Sequence, residues 1–313
     1  MKNILLIGSN GFLGKTLEKM LISDNRFEYL NISGKSFLDI RNYDALNNYL
    51  KYKNIEIIFN CAAFVGGIAF GYKYQKDLIS LNSQFALNIY KAAEENSIKK
   101  IINPISNCIY PSNLTEYKEE NIFDGLPHSS VLYYGLSKRF LINLSNAFYE
   151  QSNISSCNLI MSNMYGPGDH FEEERSHAIG AIIKKVYDTK FKKNKYIEIW
   201  GSGSQEREWL YVNDAAEAMI RSLELNDGVH TFNVGVNKTI SIQNLAELII
   251  RESGIECQIK NNLNKPEGVL KKSVNGDLGK SLLGWTPNTD IIEGIRNTIN
   301  WYEKNEISKR NLL

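Results

Sequence analysis

The sequence predicts an α/β fold: a Rossmann-type, doubly wound parallel sheet with a smaller C-terminal α/β lobe. Three observations point there. Short apolar runs of the kind that buried parallel strands need recur through the first half of the chain. Amphipathic helical patterns separate them, as crossover connections require. The first run also ends in a glycine turn that opens directly into a helix.

The first strand is read over Lys2-Asn-Ile-Leu-Leu-Ile-Gly8. It feeds Gly8-Ser-Asn-Gly11-Phe-Leu-Gly14, and Phe12, Leu13, Leu17, Met20 and Leu21 mark the helix that follows. Gly8 and Gly11 permit a tight turn and close backbone approach, Gly14 lets the helix pack near the strand, and the helix N-terminus suits a pyrophosphate. This order reads as a dinucleotide cradle. The second strand, Phe27–Ile32, ends where an adenosine ribose would lie, and sites selective for NAD usually place an acidic residue there. Asn31, Ser33 and Lys35 occupy that stretch, with no carboxylate before Asp39. NADP(H) is therefore favoured, with Ser33 and Lys35 as 2′-phosphate partners, and NAD(H) stays open.

A strand at Ile55–Ala63 ends in small residues, and Gln75–Asn96 reads as a long amphipathic helix. The strand Lys99–Ser106 leads into Ser106-Asn-Cys108-Ile-Tyr-Pro111. Ligands of open parallel sheets sit at the carboxyl ends of strands, which is where Ser106 and Cys108 fall. A further strand is expected over Asn158–Gly166. Beyond it the texture is less regular, with a strand at Tyr196–Trp200 and a helix at Ile242–Glu252. The expected division is 1–165 with 210–233 for the dinucleotide domain, and 166–209 with 234–313 for the substrate lobe.

Composition narrows the class. The 313 residues contain 43% hydrophobic and 23% charged residues, ordinary for a globular protein. A net charge of +1 argues against nucleic acid or a membrane surface as partner. The lysine-rich run Lys184–Lys195 reads as a solvated helix end and loop, and no apolar run is long enough to span a bilayer. The N-terminus runs straight into a strand and is not read as a signal peptide. Cys61, Cys108, Cys157 and Cys257 lack metal-ligand spacing, so no metal site and a reducing, cytoplasmic setting are expected.

Tyr134 and Lys138 lie four apart at the head of another helical pattern, which stacks them on one face. An ammonium beside a phenol favours the phenolate, so the pair is expected to draw the tyrosine pKa down towards the working range. Tyr-x3-Lys also arises by chance in helices, as a half-buried Tyr with a snorkelling Lys. The glycine turn and Ser106 supply the context that makes it a redox acid/base site.

Taken together these residues resemble the extended short-chain dehydrogenases/reductases, over nearly the whole length. The general features are Gly8-x-x-Gly11-x-x-Gly14, Leu38-Asp39-Ile40-Arg41, Asn60-Cys-Ala-Ala63, Tyr134-x3-Lys138 and Tyr165-Gly-Pro167. Narrower ones are Ala62-Ala-Phe-Val-Gly-Gly-Ile68, Ser106–Pro111, Ser176-His177, Trp200–Trp209, Lys265–Lys272 and Leu283-Gly-Trp285. These are similar to the GDP-L-fucose synthase branch, the epimerase/reductases of GDP-4-keto-6-deoxy-mannose.

The resemblance implies NADPH-dependent reduction at C4 of a GDP-linked 4-keto-6-deoxy sugar, hexose or heptose, for surface glycan synthesis. Tyr134 would protonate the developing alkoxide, Lys138 would hold the nicotinamide ribose, and Ser106 would hydrogen-bond the oxygen. Cys108 and His177 would move protons on opposite faces for C3/C5 epimerisation. The cofactor would run along Gly8, Asn10, Gly11, Phe12, Leu13 and Gly14, past Ser33, Lys35, Asp39 and Ile40. It would continue by Ala62, Ala63, Met161, Asn163 and Met164 to Tyr134 and Lys138. Asn163, Lys185, Trp200, Arg207 and Lys265 would bind the nucleotide sugar, an arginine fork suiting its phosphates. A homodimer through the helices near Gln75–Asn96 and Tyr133–Glu150 is also implied.

Two departures matter. The family's Ser-Ser-Cys is Ser106-Asn107-Cys108 here, and Asn10 replaces an arginine frequent in the first glycine turn. The competing readings are a nucleotide-sugar 4-epimerase or dehydratase with tightly held NAD, and a non-catalytic dinucleotide-binding regulator. A dehydratase normally needs a carboxylate pair that Asn107-Cys108 does not supply, and regulators commonly lose the Tyr or the Lys.

Overall fold

The computed structural model describes residues 2–172, 175–191, 195–265 and 269–308. β1 (Lys2–Ile7) buries its last four side chains, and α1 (Phe12–Ile22) follows the glycine turn. β2 (Phe27–Ile32) pairs in parallel along the whole of β1. α2 (Tyr43–Leu50) starts where the Asn42 side chain accepts the Ala45 N–H, satisfying a helix-end donor. β3 (Ile57–Asn60), short α3 (Ile68–Lys73), α4 (Gln75–Glu95) and β4 (Lys100–Ser106) come next. β5 (Glu116–Tyr117) and α5 (Leu132–Ser152), the helix bearing Tyr134 and Lys138, lead to β6 (Ser155–Met161).

The expected strand over Asn158–Gly166 is two strands. β6 stays in the main sheet, whereas β7 (Asn163–Tyr165) pairs with a strand of a second sheet. The chain crosses between sheets at Ser162, a break that a continuous apolar run does not reveal. α6 (Ala178–Phe191), β8 (Tyr196–Trp200) and β9 (Glu206–Tyr211) build the lobe. α7 (Val212–Arg221) then packs on α1, and β10 (Val229–Val234) joins β6. β11 (Thr239–Ser241), α8 (Ile242–Ser253), β12 (Gln258–Asn262), β13 (Lys271–Val274), α9 (Asp277–Leu283) and α10 (Ile291–Tyr302) complete the chain.

The main sheet is parallel, in the order β10-β6-β4-β3-β1-β2. The chain moves from β1 to β2 on one side and returns to β3 on the other, so the switch point lies between β1 and β3. α1 and α7 cover one face, where Leu13, Leu17, Phe59, Leu210 and Met219 pack together. α2, α4 and α5 cover the other, with Leu46, Ile89, Ile101 and Leu141. The second sheet runs β11-β9-β13-β5, and β8 pairs with β12 beside it. α6, α8 and α10 share the lobe core around Ile183, Leu245 and Ile299. Among the described residues, no helix is long and apolar enough to cross a membrane. They also contain no His, Cys, Asp or Glu group able to hold a metal.

The face under α4 and α5 is not wholly apolar. Asn60 Nδ2 donates to Asn103 Oδ1 at 3.0 Å, Asn103 Nδ2 to Asn158 Oδ1 at 3.1 Å, and Asn158 Nδ2 to Thr231 Oγ1 at 3.1 Å. This ladder crosses β3, β4, β6 and β10. It also fastens the helices above, because Asn103 donates to the Tyr90 hydroxyl of α4 and Asn158 to the Ser145 hydroxyl of α5. Removing a central rung leaves buried polar groups without partners, at about 1–3 kcal/mol for each. Asn103→Leu is therefore expected to lower the unfolding free energy by at least that much in urea titration, whereas Asn10→Leu on the exposed turn has little effect.

Candidate active site

The glycine turn sits at the switch point. Gly8 has φ +86°, and a Cβ there would come within 2.8 Å of the Cys61 carbonyl carbon. A Cβ on Gly14 would meet the Gly8 carbonyl oxygen at 2.1 Å. Only glycine lets strand, turn and helix approach this closely. Gly11 N–H closes the turn on the Gly8 oxygen at 3.0 Å, and Asn10 and Gly11 are exposed at its crest. Phe12 is half-buried, and Leu13 belongs to the core rather than the surface of the turn. Ala62 and Ala63 follow β3, with the Ala62 nitrogen beside Gly8, and the exposed crest of the turn at the N-terminus of α1 fits a dinucleotide diphosphate.

At the end of β2, Ser33 is half-buried and Lys35 exposed. Asp39 is engaged by the Arg41 guanidinium, with Nε to Oδ1 at 2.8 Å. That partner, with Lys35 nearby, holds its carboxyl at about 2. Ile40 is buried in the core. The sequence reading placed no carboxylate here before Asp39, but α1 brings one from behind: Glu18 Oε1 accepts from Asn31 Nδ2 at 2.6 Å.

At the carboxyl end of β4, the Ser106 hydroxyl accepts the Cys108 N–H at 3.2 Å and caps a short 3-10 turn. α5 lies directly against that turn. A Cβ on Gly135 would come within 2.5 Å of the Cys108 carbonyl oxygen, and Arg139 Nε donates to the Ile109 carbonyl at 2.8 Å. The structure thus brings Ser106, Cys108, Tyr134 and Lys138 together. Tyr134 packs with Phe70 and Leu78, and Cys108 borders the same cluster.

The electrostatics differ from expectation in one respect. Lys138 does not draw the Tyr134 phenol down; burial, and then Cys108, push it up. The Lys138 ammonium lies 5.7 Å from the centre of the Tyr134 ring, and Nζ contacts the Pro104 carbonyl at 3.5 Å. Desolvation of a phenolate outweighs a cation placed over the ring. Tyr134 is accordingly held as the neutral acid. Burial also lowers Lys138 to about 8.

His177 directly precedes α6. It keeps an exposed edge yet is crowded by protein, as a group in a cleft is, and burial followed by His170 lowers its pKa. Met161 ends β6, and Asn163 Nδ2 donates to the Glu208 carbonyl at 2.9 Å. Met164 packs on the core beneath α1 and α7. On the lobe, Lys185 Nζ donates to the Glu198 carbonyl at 2.8 Å, and Lys265 Nζ lies 5.3 Å from the centre of the exposed Trp200 ring. Residues 192–194 of the lysine-rich run and 266–268 of the Lys265–Lys272 motif lie outside the described residues.

Arg207 stands apart from that lobe group. It lies on β9 opposite Lys272 of β13, in register, and near Tyr117, whose phenol burial pushes up, with Cys108 adding to the rise and Arg207 opposing it. Lys272, Tyr117 and Asp169 were not singled out from sequence. The Lys271-Lys272 pair was visible, but which lysine faces inward depends on the register of β13. Asp169 is a buried carboxyl with Oδ1 accepting the His170 N–H and Oδ2 without a protein partner; burial lifts it to about 7. A groove of about 510 Å³ between α1 and α7 lies elsewhere, and its charges pair among themselves, Arg26 with Asp24 and Arg221 with Glu217.

The sequence profile of the NAD dependent epimerase/dehydratase family matches residues 4–235. The chain belongs to that family. It is an NAD(P)-dependent enzyme of the epimerase/reductase type. It is 28% identical over 303 residues to GDP-L-fucose synthase 1 of Arabidopsis thaliana, covering 96% of this chain and 93% of the relative. It is 29% identical over 307 residues to the GDP-L-colitose synthase of Yersinia pseudotuberculosis, covering 96% and 99%. In fold it is similar to a GDP-6-OMe-4-keto-L-xylo-heptose reductase from C. jejuni, with TM-score 0.89, 21% identity and coverage of 97% and 98%. A GDP-L-fucose synthetase from Naegleria fowleri gives TM-score 0.88, 23% identity and coverage of 98% and 94%.

Two outcomes follow from the geometry. Gly135→Ala forces α5 off the Cys108 carbonyl and is expected to lower turnover at least about tenfold, as a displacement of around 1 Å can, with far-UV circular dichroism unchanged. Asp169 ionises at higher pH in the folded chain than its ordinary 3.8, so its charge opposes folding at pH 8 and ceases to do so as pH falls through about 7 towards 4. Asp169→Asn should melt above the wild type at pH 8, with the difference shrinking over that window.

Proposed function

We propose that this chain is an NADPH-dependent C4 reductase of a GDP-linked 4-keto-6-deoxy sugar, hexose or heptose, serving surface-glycan synthesis. Cys108 and His177 add C3/C5 epimerisation on the same substrate. The observation that carries the reading is Tyr134, held as a neutral acid on a helix seated against the Ser106–Cys108 turn. Reduction of a ketone needs a proton donor at the developing alkoxide, and a phenol kept protonated by burial is that donor.

Gly8, Gly11 and Gly14 with the N-terminus of α1 would hold the dinucleotide diphosphate, and Ser33 and Lys35 its 2′-phosphate. The bound nicotinamide supplies hydride. Ser106 orients the ketone oxygen, Tyr134 protonates it, and Lys138 holds the ribose and offsets charge as Tyr134 gives up its proton. Arg207 takes the substrate phosphates, while Lys185, Trp200 and Lys265 take the nucleoside side. The names of the curated relatives support the GDP-sugar assignment, and relatives with NADP bound support the cofactor preference. α4 and α5, packed side by side on the outer face, would form a homodimer interface.

Purified protein given GDP-4-keto-6-deoxy-mannose is expected to oxidise NADPH, read at 340 nm, and Tyr134→Phe to lose at least about a hundredfold of that rate. No turnover with any GDP-4-keto sugar would refute the reading. Cofactor that co-purifies and is never released would favour an epimerase holding NAD instead.

A further inference from the structure

One face of β9 carries an unmet hydrogen-bond donor. Side chains alternate along a strand, so Arg207 shares a face with Trp209 and Tyr211, which pack into the lobe core. Glu208 and Leu210 point the other way, towards the dinucleotide domain, where Leu210 packs under α1 and α7. Register sets Asn163 of β7 directly opposite Trp209. Paired strands lie about 4.8 Å apart and alternate residues about 6.6 Å apart, so Trp209 adjoins both Arg207 and Asn163. Trp209 is 7% exposed, and its indole N–H has no hydrogen-bond partner among the described residues. An indole N–H only donates, in a direction that the ring fixes, and a buried one usually finds an acceptor. Neighbouring Gln205, whose Oε1 is also left over, can turn its amide over, and Arg139 keeps its bond to Ile109. Trp209 has neither recourse.

We propose that the Trp209 indole N–H donates to a hydroxyl of the substrate's sugar, which makes Trp209 a substrate-binding residue. The proposal rests on the reading of this site as one for a GDP-linked sugar. Burial deepens along the face, from half-buried Arg207 to buried Trp209. With the phosphates on Arg207 and the nucleoside on exposed Trp200, the end of the ligand that passes below Arg207 is the sugar. A hydroxyl arriving there satisfies a donor that the fold leaves unpaired. A sugar with hydrogen in place of that hydroxyl leaves the donor unpaired, so Trp209 selects among sugars and not among nucleotides.

Binding can be read without turnover. The chain has four tryptophans, Trp200, Trp209, Trp285 and Trp301, whose indole N–H signals appear in a proton–nitrogen correlation spectrum of the labelled whole protein. Trp200→Phe, Trp285→Phe and Trp301→Phe assign the Trp209 signal by elimination and leave that residue intact. The probe is GDP-mannose, which has no ketone to reduce and carries the C2 and C3 hydroxyls that its 4-keto-6-deoxy derivative keeps. In the wild type the Trp209 signal is expected to move downfield with GDP-mannose and to stay in place with GDP or NADPH. Trp209→Phe is expected to raise the Kd for GDP-mannose about tenfold, the size of one neutral hydrogen bond, with the Kd for GDP unchanged. A Trp209 signal that no nucleotide sugar moves, or that GDP alone moves as far, would overturn the proposal. A signal moved by UDP-glucose and not by GDP-mannose would uphold the role of Trp209 and refute the GDP-sugar function instead.

Discussion

The contact of Gly135 with the Cys108 carbonyl is the constraint on which the site depends. It sets the distance between α5 and the turn that ends β4, and no residue with a Cβ can hold that distance. Arg139, one turn on, fastens the same helix to the Ile109 carbonyl. Four groups of the candidate site are placed by this crossing. Ser106 and Cys108 belong to one side of it, and Tyr134 and Lys138 to the other. The Asn ladder holds the far end of the same helix through Ser145, so α5 is pinned at both ends by polar contacts inside an otherwise apolar layer.

Burial rather than charge governs the protonation states there. Tyr134 is pushed up and Lys138 down by the same cause, loss of water around the charged form. The result is a neutral acid beside a readily deprotonated amine. The lobe is tied to this centre by another buried group. The Glu208 side chain of β9 accepts the backbone N–H of Val236, just past β10, at 2.6 Å and that of Val274 on β13 at 2.9 Å. A carboxylate with charge-assisted bonds to both sheets fixes β9 and β13, and so Arg207 and Lys272, against the dinucleotide domain.

The glycine turn, the strand-helix alternation and the Tyr-Lys spacing were legible because each is local. Apolar periodicity reports burial, glycine reports a forbidden Cβ, and a four-residue spacing reports one helix face. Asn158 to Gly166 misled for the same reason: an apolar run says that a strand is buried, not in which sheet. Glu18 escaped notice because it reaches Asn31 across a strand and a helix, and Lys272 because its direction depends on strand register.

The sequence by itself determined the fold class, the glycine turn after β1 and the placement of Tyr134 and Lys138 on one helix face. Those follow from residue type and spacing along one element. The tertiary structure alone decided the electrical state of that pair and the company of Cys108. Desolvation and cross-strand approach are properties of what surrounds a residue: burial and then Cys108 shift Tyr134, and Tyr117 of β5 and Lys272 of β13, each shifted first by burial, also feel Cys108. Only packing brings segments so far apart in the chain to one thiol.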